Sequence, residues 1–355
     1  MTAYLSSVER RCIPSSVRRN TQKGEKTNWS EPEENMESNK VIDALIGVAV
    51  GDAVGVPYEF SSRDKMKSNP ATGMIGYGTY NQPEGTWSDD SSLTFCLAES
   101  LVTGYNLKEI SENFIKWKME AYWSARGKVF DIGSTTSKAI SRLSQIINDN
   151  NLEELKQQKF YGDESDNGNG SLMRIIPLLF YIKGKSIKEQ FEKVWEISAL
   201  THRHIRAAMS CLIYLKFAEK LLAGKDKEIA YSEMRTEIQN FWDEMDFSIN
   251  EREHFAKIIK NDIRQTKIED LKSGGYVIEV LESSIWFFLN NDSYEETILS
   301  IINIGHDTDT SAAITGGLAG IYYGLKGIPE YWVISIARME DIFALANRLN
   351  NKYCA

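Results

Sequence analysis

Cysteine is scarce in this chain. Four cysteines occur among 355 residues, at positions 12, 96, 211 and 354, and no two of them form a CxxC pair. This spacing gives no sign of a disulfide framework or of a structural zinc site. Scattered cysteines of this kind are typical of reduced thiols, so we expect a cytoplasmic protein.

The chain also lacks long apolar runs and an excess of positive charge. No segment reaches the ~18 uninterrupted apolar residues of a transmembrane helix, and Arg10, Arg11, Arg18 and Arg19 interrupt any secretory signal. The net charge is -9, whereas a protein that binds duplex nucleic acid needs a basic face. We therefore expect no membrane span and no nucleic-acid partner. A small phosphate-bearing ligand stays compatible, because backbone amides can hold it.

Alternation of apolar and polar residues, the pattern of a half-buried β-strand, is scarce, whereas helical spacing is common. Leu93, Leu97 and Leu101 lie four positions apart, and the run "IRAAMSCLIYLKFAEKLLAG" closes on Gly224, a typical stop for a helix. The chain is long enough to bury a large core. We predict one large all-α domain over residues 40–355.

Two of the predicted helices are unusually rich in glycine and alanine, namely "DALIGVAVGDAVGVPYEF" (43–60) and "SAAITGGLAGIYYG" (311–324). Glycine inside a helix costs about 1 kcal/mol relative to alanine. Such density therefore predicts that backbones pack in close contact in the core. The alternative role for glycine, close approach of the backbone to a ligand, fits the glycines in loops better than those in these helices.

Two short acidic clusters each stand at the start of an apolar helix, in "GTWSDDSSLTFCLAESL" (85–101) and "GHDTDTSAAITGGLAGIYYG" (305–324). Taken singly, each cluster is an ordinary N-terminal cap. Brought together, four carboxylates would repel one another, and a hard divalent cation such as Mg²⁺ or Ca²⁺ would relieve the repulsion. The absence of His and Cys ligands disfavours zinc. The candidate ligands are Ser88, Asp89, Asp90, Asp307, Asp309 and Thr310.

Small polar residues open two further segments, "FDIGSTTSKAI" (130–140) and "DNGNGSLMRIIPLLF" (166–180). Each is either a surface turn or an anion site in which loop amides hold a phosphate. Arg174 could assist such a site, although an arginine on a helix is more often solvated. His202 and His204 are two positions apart and would diverge on a helix, so a shared metal is not expected. His202 either bonds the backbone or contacts a phosphate.

Six stretches together resemble the ADP-ribosylglycohydrolase family and fall in family order over about residues 45–325. They are "GVAVGDAVGVPYEF", "GTWSDDSSLTFCLAESL", "FDIGSTTSKAI", "NGNGSLMR", "THRHIRAA" and "GHDTDTSAAITGGLAG". Three positions depart from the common pattern: Ser88 stands for Thr, Ile205 for Pro and His306 for Gly. The resemblance implies an all-α fold with two Mg²⁺ ions in a central cleft.

The resemblance also implies roles for individual residues. The six cluster residues would hold the ions, with Asp307 also catalytic and Glu59 as the acid or base. Asp52 would lie nearby. Phosphate, ribose and diphosphate contacts would come from Gly133, Thr135, Asn169, Gly170, Ser171 and His202.

The implied reaction is removal of ADP-ribose from a protein arginine, with the modified protein as partner. Hydrolysis of serine-linked ADP-ribose and hydrolysis of O-acetyl-ADP-ribose are alternatives. The matched motifs cannot distinguish them, because they concern only the ADP-ribose part that all these substrates share. A protein that acts mainly by covering a partner's surface is a further alternative.

Residues 1–39 differ from the rest in having few large apolar side chains, and we predict a flexible extension. An inert tail, a transit peptide and a partner-binding arm are all compatible with this composition. The arm is the sharpest hypothesis, because Trp29 and the arginines are typical interface anchors. An ADP-ribosyltransferase toxin is the partner it suggests, which would make the chain an immunity protein.

Overall fold

The computed structural model describes residues 39–354, and this part of the chain is helical, which confirms the all-α prediction. Within it no residue belongs to a β-strand, and Gly168 and Tyr276 form one isolated antiparallel bridge. The α-helices, in chain order, are α1 (Lys40–Gly55), α2 (Arg63–Ser68), α3 (Asp89–Thr103), α4 (Leu107–Glu120), α5 (Ser134–Asn148), α6 (Glu153–Gln157), α7 (Leu178–Ile182), α8 (Ile187–Ala199), α9 (Ile205–Leu222), α10 (Lys227–Glu244), α11 (Ile249–His254), α12 (Ala256–Ile259), α13 (Val277–Asn290), α14 (Tyr294–Ile302), α15 (Thr308–Tyr323), α16 (Glu330–Ser335) and α17 (Met339–Tyr353).

The two glycine-rich helices, α1 and α15, pack against each other backbone to backbone. A Cβ atom added to Gly47 would lie 2.3 Å from the carbonyl oxygen of Gly316, and one added to Gly51 would lie 2.1 Å from that of Ala312. No side chain fits in such a gap. The prediction of close backbone packing is therefore confirmed, and we call this contact the glycine seam.

The glycine seam determines which ends of α1 and α15 lie together. A Cβ atom on Gly55, the last residue of α1, would lie 2.5 Å from the Cα of Asp309 in the first turn of α15. The Thr308 hydroxyl also donates to the Gly55 carbonyl at 2.8 Å. The C-terminus of α1 is thus held against the N-terminus of α15.

Helix α3 packs against α1, α4, α15 and α17 through the apolar positions that its spacing predicts. Leu93, Leu97 and Leu101 are each fully buried. Helix α9 ends at Leu222, and Gly224 follows with φ of 76°, a left-handed conformation that suits glycine. The central position of α3 places its N-terminus beside that of α15.

Lys40–Tyr58 is long and apolar enough to cross a membrane by composition, but 89% of that stretch is buried inside the fold. This is the pattern of a central core helix. The helix begins at Asn39, whose side-chain oxygen accepts from the backbone N–H groups of Val41 and Ile42 at 3.1 and 2.9 Å.

Candidate active site

The two acidic clusters meet at the N-termini of α3 and α15. The Thr310 hydroxyl donates to a carboxylate oxygen of Asp90 at 3.3 Å, across 220 positions of sequence. Asp89 and Asp90 lie in the first turn of α3, and Asp309 and Thr310 lie in the first turn of α15. The clusters therefore form one site, as the paired pattern predicted.

Ser88 is a helix cap, whereas the aspartates are not. The Ser88 hydroxyl accepts from the Asp90 N–H at 3.3 Å and donates to the Asp90 carboxylate at 2.9 Å. Asp307 occupies the N-cap position of α15 but makes no capping bond. Its carboxylate instead accepts from the Asn169 side-chain amide at 2.7 Å. The interpretation of the aspartates as ordinary N-terminal caps is thus wrong. Their carboxylate oxygens stay available for other contacts.

Several of these carboxylate oxygens are buried without a hydrogen-bond donor. Both carboxylate oxygens of Asp309, one of Asp90 and one of Glu59 have no partner. A buried charge without a counter-charge is costly, so such a group takes up a proton or binds a cation. Burial raises the pKa values of Asp89, Asp90 and Asp309 well above their usual range, and neighbouring carboxylates add to the shift.

The carboxylates form two adjacent groups that could each hold a cation. Asp52, Asp90 and Asp309 place oxygen atoms within 4.8 Å of one another, and so do Glu59, Asp131 and Asp309. Asp309 belongs to both groups. An all-oxygen donor set with orphaned buried oxygens fits hard cations such as Mg²⁺.

Asp52 in α1 supports the N-terminus of α3. Its carboxylate accepts from the backbone N–H groups of Ser88 at 2.9 Å and Ser91 at 3.0 Å, and from the Ser91 hydroxyl at 2.6 Å. Burial raises the pKa of Asp52 to about 6, although these donors oppose the shift. Asp52 therefore caps α3 from a neighbouring helix, which gives it a definite structural role.

Glu59 lies just beyond α1 with a buried carboxyl group. Burial and the neighbouring Asp131 raise the pKa of Glu59 to about 8. Without a bound cation, Glu59 therefore holds a proton at neutral pH. Its place in the cleft lining puts Glu59 in position to exchange a proton with a bound ligand.

Sequence reasoning missed Asp131 and Tyr80. Asp131 lies in the loop before α5 in a left-handed conformation, with φ of 52°. The Tyr80 hydroxyl donates to its carboxylate at 2.5 Å. The only signal for Asp131 was its place beside the small residues of "FDIGSTT", and Tyr80 carried no signal, because its partner is set by the fold.

A cleft of about 360 Å³ opens over the acidic site and is lined by both small-residue loops. The residues predicted from the sequence that line it are Glu59, Asp89, Gly133, Thr135, Asn169, Gly170, His202, Asp307 and Thr310. Ser88, Asp90 and Asp309 lie buried outside this lining. Ser171 is not at the cleft surface, since it is fully buried and its hydroxyl accepts from Ser198 at 2.9 Å.

His202 lies beneath the loop of residues 168–170. A Cβ atom on Gly170 would lie 2.5 Å from the His202 ring, so only glycine leaves room there. Burial and the nearby Arg174 lower the pKa of His202 to about 3, so its ring is neutral. Its Nδ1 atom pairs with the Thr201 hydroxyl at 2.9 Å, and the rest of the ring faces the loop. His204 instead caps α9, and the two histidines share no site.

Arg174 is fully buried, so the expectation of a solvated side chain is wrong. Its guanidinium donates to the carbonyls of Gly170 and Ile197 and lies 4.9 Å from the centre of the Phe114 ring. Arg174 therefore supports the loop from below and does not line the cleft.

A sequence profile of the ADP-ribosylglycohydrolase family matches residues 33–355. The chain is 30% identical over 316 residues to the ADP-ribosylarginine hydrolase Tri1 of Serratia proteamaculans, covering 88% of this chain and 79% of that protein. It is 24% identical to the ADP-ribosyl-[dinitrogen reductase] glycohydrolase of Rhodospirillum rubrum, covering 83% and 89%. The solved structure of an ADP-ribosylglycohydrolase-related protein complex superimposes with a TM-score of 0.71 at 26% identity, covering 88% and 98%.

Proposed function

This chain belongs to the ADP-ribosylglycohydrolase family, and we propose that it removes ADP-ribose from arginine side chains of modified proteins. As a member of the family it is an ADP-ribosylhydrolase, an enzyme that cleaves a glycosidic bond. The observation that carries the arginine linkage is the 30% identity to a protein named as an ADP-ribosylarginine hydrolase. The proposal places the enzyme in the cytoplasm, in keeping with the free thiols of Cys96, Cys211 and Cys354.

We infer that the site takes two Mg²⁺ ions. The orphaned oxygens of Asp309 and Asp90, which are buried in the first turns of α15 and α3, support this inference. Bound ions supply positive charge that orients the ribose hydroxyls and lowers the pKa of a water molecule. The residues that would hold the ions are Ser88, Asp89, Asp90, Asp307, Asp309 and Thr310.

The reaction adds water to the anomeric carbon of ADP-ribose as the bond from that carbon to the guanidine nitrogen breaks. Glu59, which lines the cleft, would give a proton to the departing nitrogen. Asp131 lies on the same cleft wall and would take a proton from the attacking water. His202 and the loop of residues 168–170 would bind the diphosphate.

The test is release of ADP-ribose from an arginine-modified protein, with and without EDTA. We expect Asp307→Ala and Asp309→Ala to lose release by at least ~100-fold, since each removes a ligand. Full activity in both variants would overturn the metal assignment. A parallel panel of serine-linked ADP-ribose and O-acetyl-ADP-ribose distinguishes the linkages, and faster turnover of either would overturn the arginine preference.

We further propose that the N-terminal extension makes this chain an immunity protein that also blocks an ADP-ribosyltransferase toxin. Residues 1–38 lie outside the described residues, so the support comes from sequence. A tryptophan and paired arginines in a polar segment are suited to binding in an acidic cleft of a partner protein. A transferase is a suitable partner, because an ADP-ribosylhydrolase would remove the ADP-ribose that the transferase attaches.

The test is a truncation that leaves the first helix intact. Deleting residues 1–37 keeps Asn39, the cap of α1, so hydrolysis should be unchanged while binding to the transferase is lost. Equal binding by the truncated protein would show that the extension is only a tail. Trp29→Ala in the full chain is the matched single substitution and should weaken binding without affecting turnover.

A further inference from the structure

Phe60 is a large aromatic side chain that stands exposed at the active-site cleft. It directly follows Glu59, lines the cleft, and has 69% of its surface exposed. Ten other large apolar side chains in residues 39–354 are similarly exposed, and none of those lines this cleft. An exposed ring at this position is therefore available to a ligand that reaches the cleft from solvent.

The backbone of Phe60 is held in an unfavourable conformation. Its φ is 60°, in the left-handed region that bulky residues rarely adopt. Its N–H donates to the His306 carbonyl, and the His306 N–H donates to the Ser61 carbonyl, both at 2.7 Å. Strain of this kind persists only where the surroundings enforce it, so these two hydrogen bonds fix the backbone at Phe60.

The surroundings of Phe60 connect its ring to the carboxylates of the site. The Phe60 and Tyr80 ring centres lie 6.3 Å apart, and the Tyr80 hydroxyl bonds Asp131. Phe130 lies on the other side of Tyr80, with ring centres 5.1 Å apart. The three rings form an aromatic wall, and Phe60 is its exposed end.

We propose that Phe60 contacts the leaving group, by packing its ring against the guanidinium and methylene groups of the ADP-ribosylated arginine. The proposal rests on the arginine linkage proposed above. A planar guanidinium stacks well on an aromatic ring, and the negative charge of Asp131 nearby suits a cation. The target's side chain must enter from solvent, which is the side on which the Phe60 ring is exposed. Phe60 is then a specificity-determining residue.

Under this proposal, different residues contact the ADP-ribose part and the arginine part of the substrate. Contacts to ADP-ribose come from the loops around Gly133 and Gly170, whereas the ring would contact only the arginine side. Loss of the ring should therefore weaken turnover of the protein substrate and leave the affinity for free ADP-ribose unchanged.

The experiment compares Phe60→Ala with Phe60→Tyr, which keeps an aromatic face at the same position. Two quantities are measured for each: kcat/KM on an arginine-ADP-ribosylated protein, and Kd for free ADP-ribose by calorimetry. We expect Phe60→Ala to lower kcat/KM by roughly 10-fold and to leave Kd within about twofold. Phe60→Tyr should stay close to wild type.

Tyr77→Ala is the matched control. Tyr77 is also 69% exposed and left-handed, with φ of 63°, but it does not line the cleft. It should therefore leave both quantities unchanged. Unchanged kcat/KM in Phe60→Ala would overturn the inference, and so would an equal loss of affinity for ADP-ribose, which would place the ring against the nucleotide.

The same measurements distinguish a failure of this inference from a failure of the proposed function. A wild-type protein that fails to cleave the arginine linkage would overturn the proposed function and this inference together. A wild-type protein that cleaves it as fast as Phe60→Ala does would overturn only the role of the ring. Circular dichroism melting of each variant excludes misfolding as the cause of a loss.

Discussion

The Thr310 hydroxyl lies 3.3 Å from a carboxylate oxygen of Asp90, although 220 positions separate the two residues. Each belongs to the first turn of a helix, and the two helices, α3 and α15, pack against each other and against α1, with the glycine seam between α1 and α15. The acidic site is therefore a product of long-range packing, and its chemistry depends on that packing.

Substitution within the glycine seam should destabilise the whole fold. In Gly47→Ala the new methyl group would lie 2.3 Å from the Gly316 carbonyl oxygen, so the helices must separate. We expect the free energy of unfolding to fall by about 2 kcal/mol or more, measured by urea denaturation. Gly73→Ala is the control, because a Cβ atom there meets nothing within 4 Å. Equal stability of the two variants would contradict the tight contact.

Neutralising Asp309 should stabilise the metal-free protein. Both of its carboxylate oxygens are buried without a donor, so in EDTA Asp309→Asn should raise the free energy of unfolding by about 1–3 kcal/mol. We expect Mg²⁺ to raise the Tm of the wild type, and the same variant should lose this rise. Asp64→Asn, on the exposed side of α2, should change neither quantity. A Tm that still rises with Mg²⁺ in Asp309→Asn would remove this residue from the metal site.

The metal-free protein should lose stability as the pH rises from about 4 to 8. Glu59 and Asp52 have folded pKa values raised to about 8 and about 6, above those of the unfolded chain. In this interval the folded state holds more protons than the unfolded state, so the free energy of unfolding falls with pH. Each group contributes at most ~1.4 kcal/mol per pH unit. Urea titrations in EDTA measure the slope, and Glu59→Gln should make it shallower between pH 6 and about 8, while the other buried carboxyl groups still contribute. An unchanged slope in that variant would show that Glu59 titrates normally.

The Tyr80 hydroxyl should affect turnover, because it hydrogen-bonds the Asp131 carboxylate. Tyr80→Phe keeps the ring between Phe60 and Phe130 but removes the 2.5 Å hydrogen bond to the carboxylate. We expect kcat to fall roughly 10-fold with KM nearly unchanged, because the Tyr80 hydroxyl orients the carboxyl groups of Asp131 and Glu59 and Tyr80 itself does not line the cleft. Tyr58→Phe, which removes a 3.4 Å bond to the Gly73 carbonyl, should keep full kcat. If both variants behave alike, Tyr80 has only a packing role.

Local patterns predicted the helices and the acidic clusters well. The four-residue spacing of Leu93 and Leu97 is a property of one helix, and glycine density alone indicated the contact at Gly47. Asp131, Tyr80 and Arg174 escaped prediction because their roles depend on partners distant in sequence. Arg174 is buried only because the Gly170 and Ile197 carbonyls and the Phe114 ring surround it. The spacing of charges could not show that Asp307 bonds Asn169 instead of capping its own helix.

The backbone contact between α1 and α15 also limits how this enzyme can adapt. Helices separated by side chains can slide past one another as rotamers change, but the seam at Gly47 and Gly51 leaves no side chain to rearrange. The spacing of the carboxylates attached to these two helices is consequently rigid. We expect differences in target shape to be accommodated at the rim of the cleft, where the Phe60 ring is exposed, while the spacing of the carboxylates stays the same.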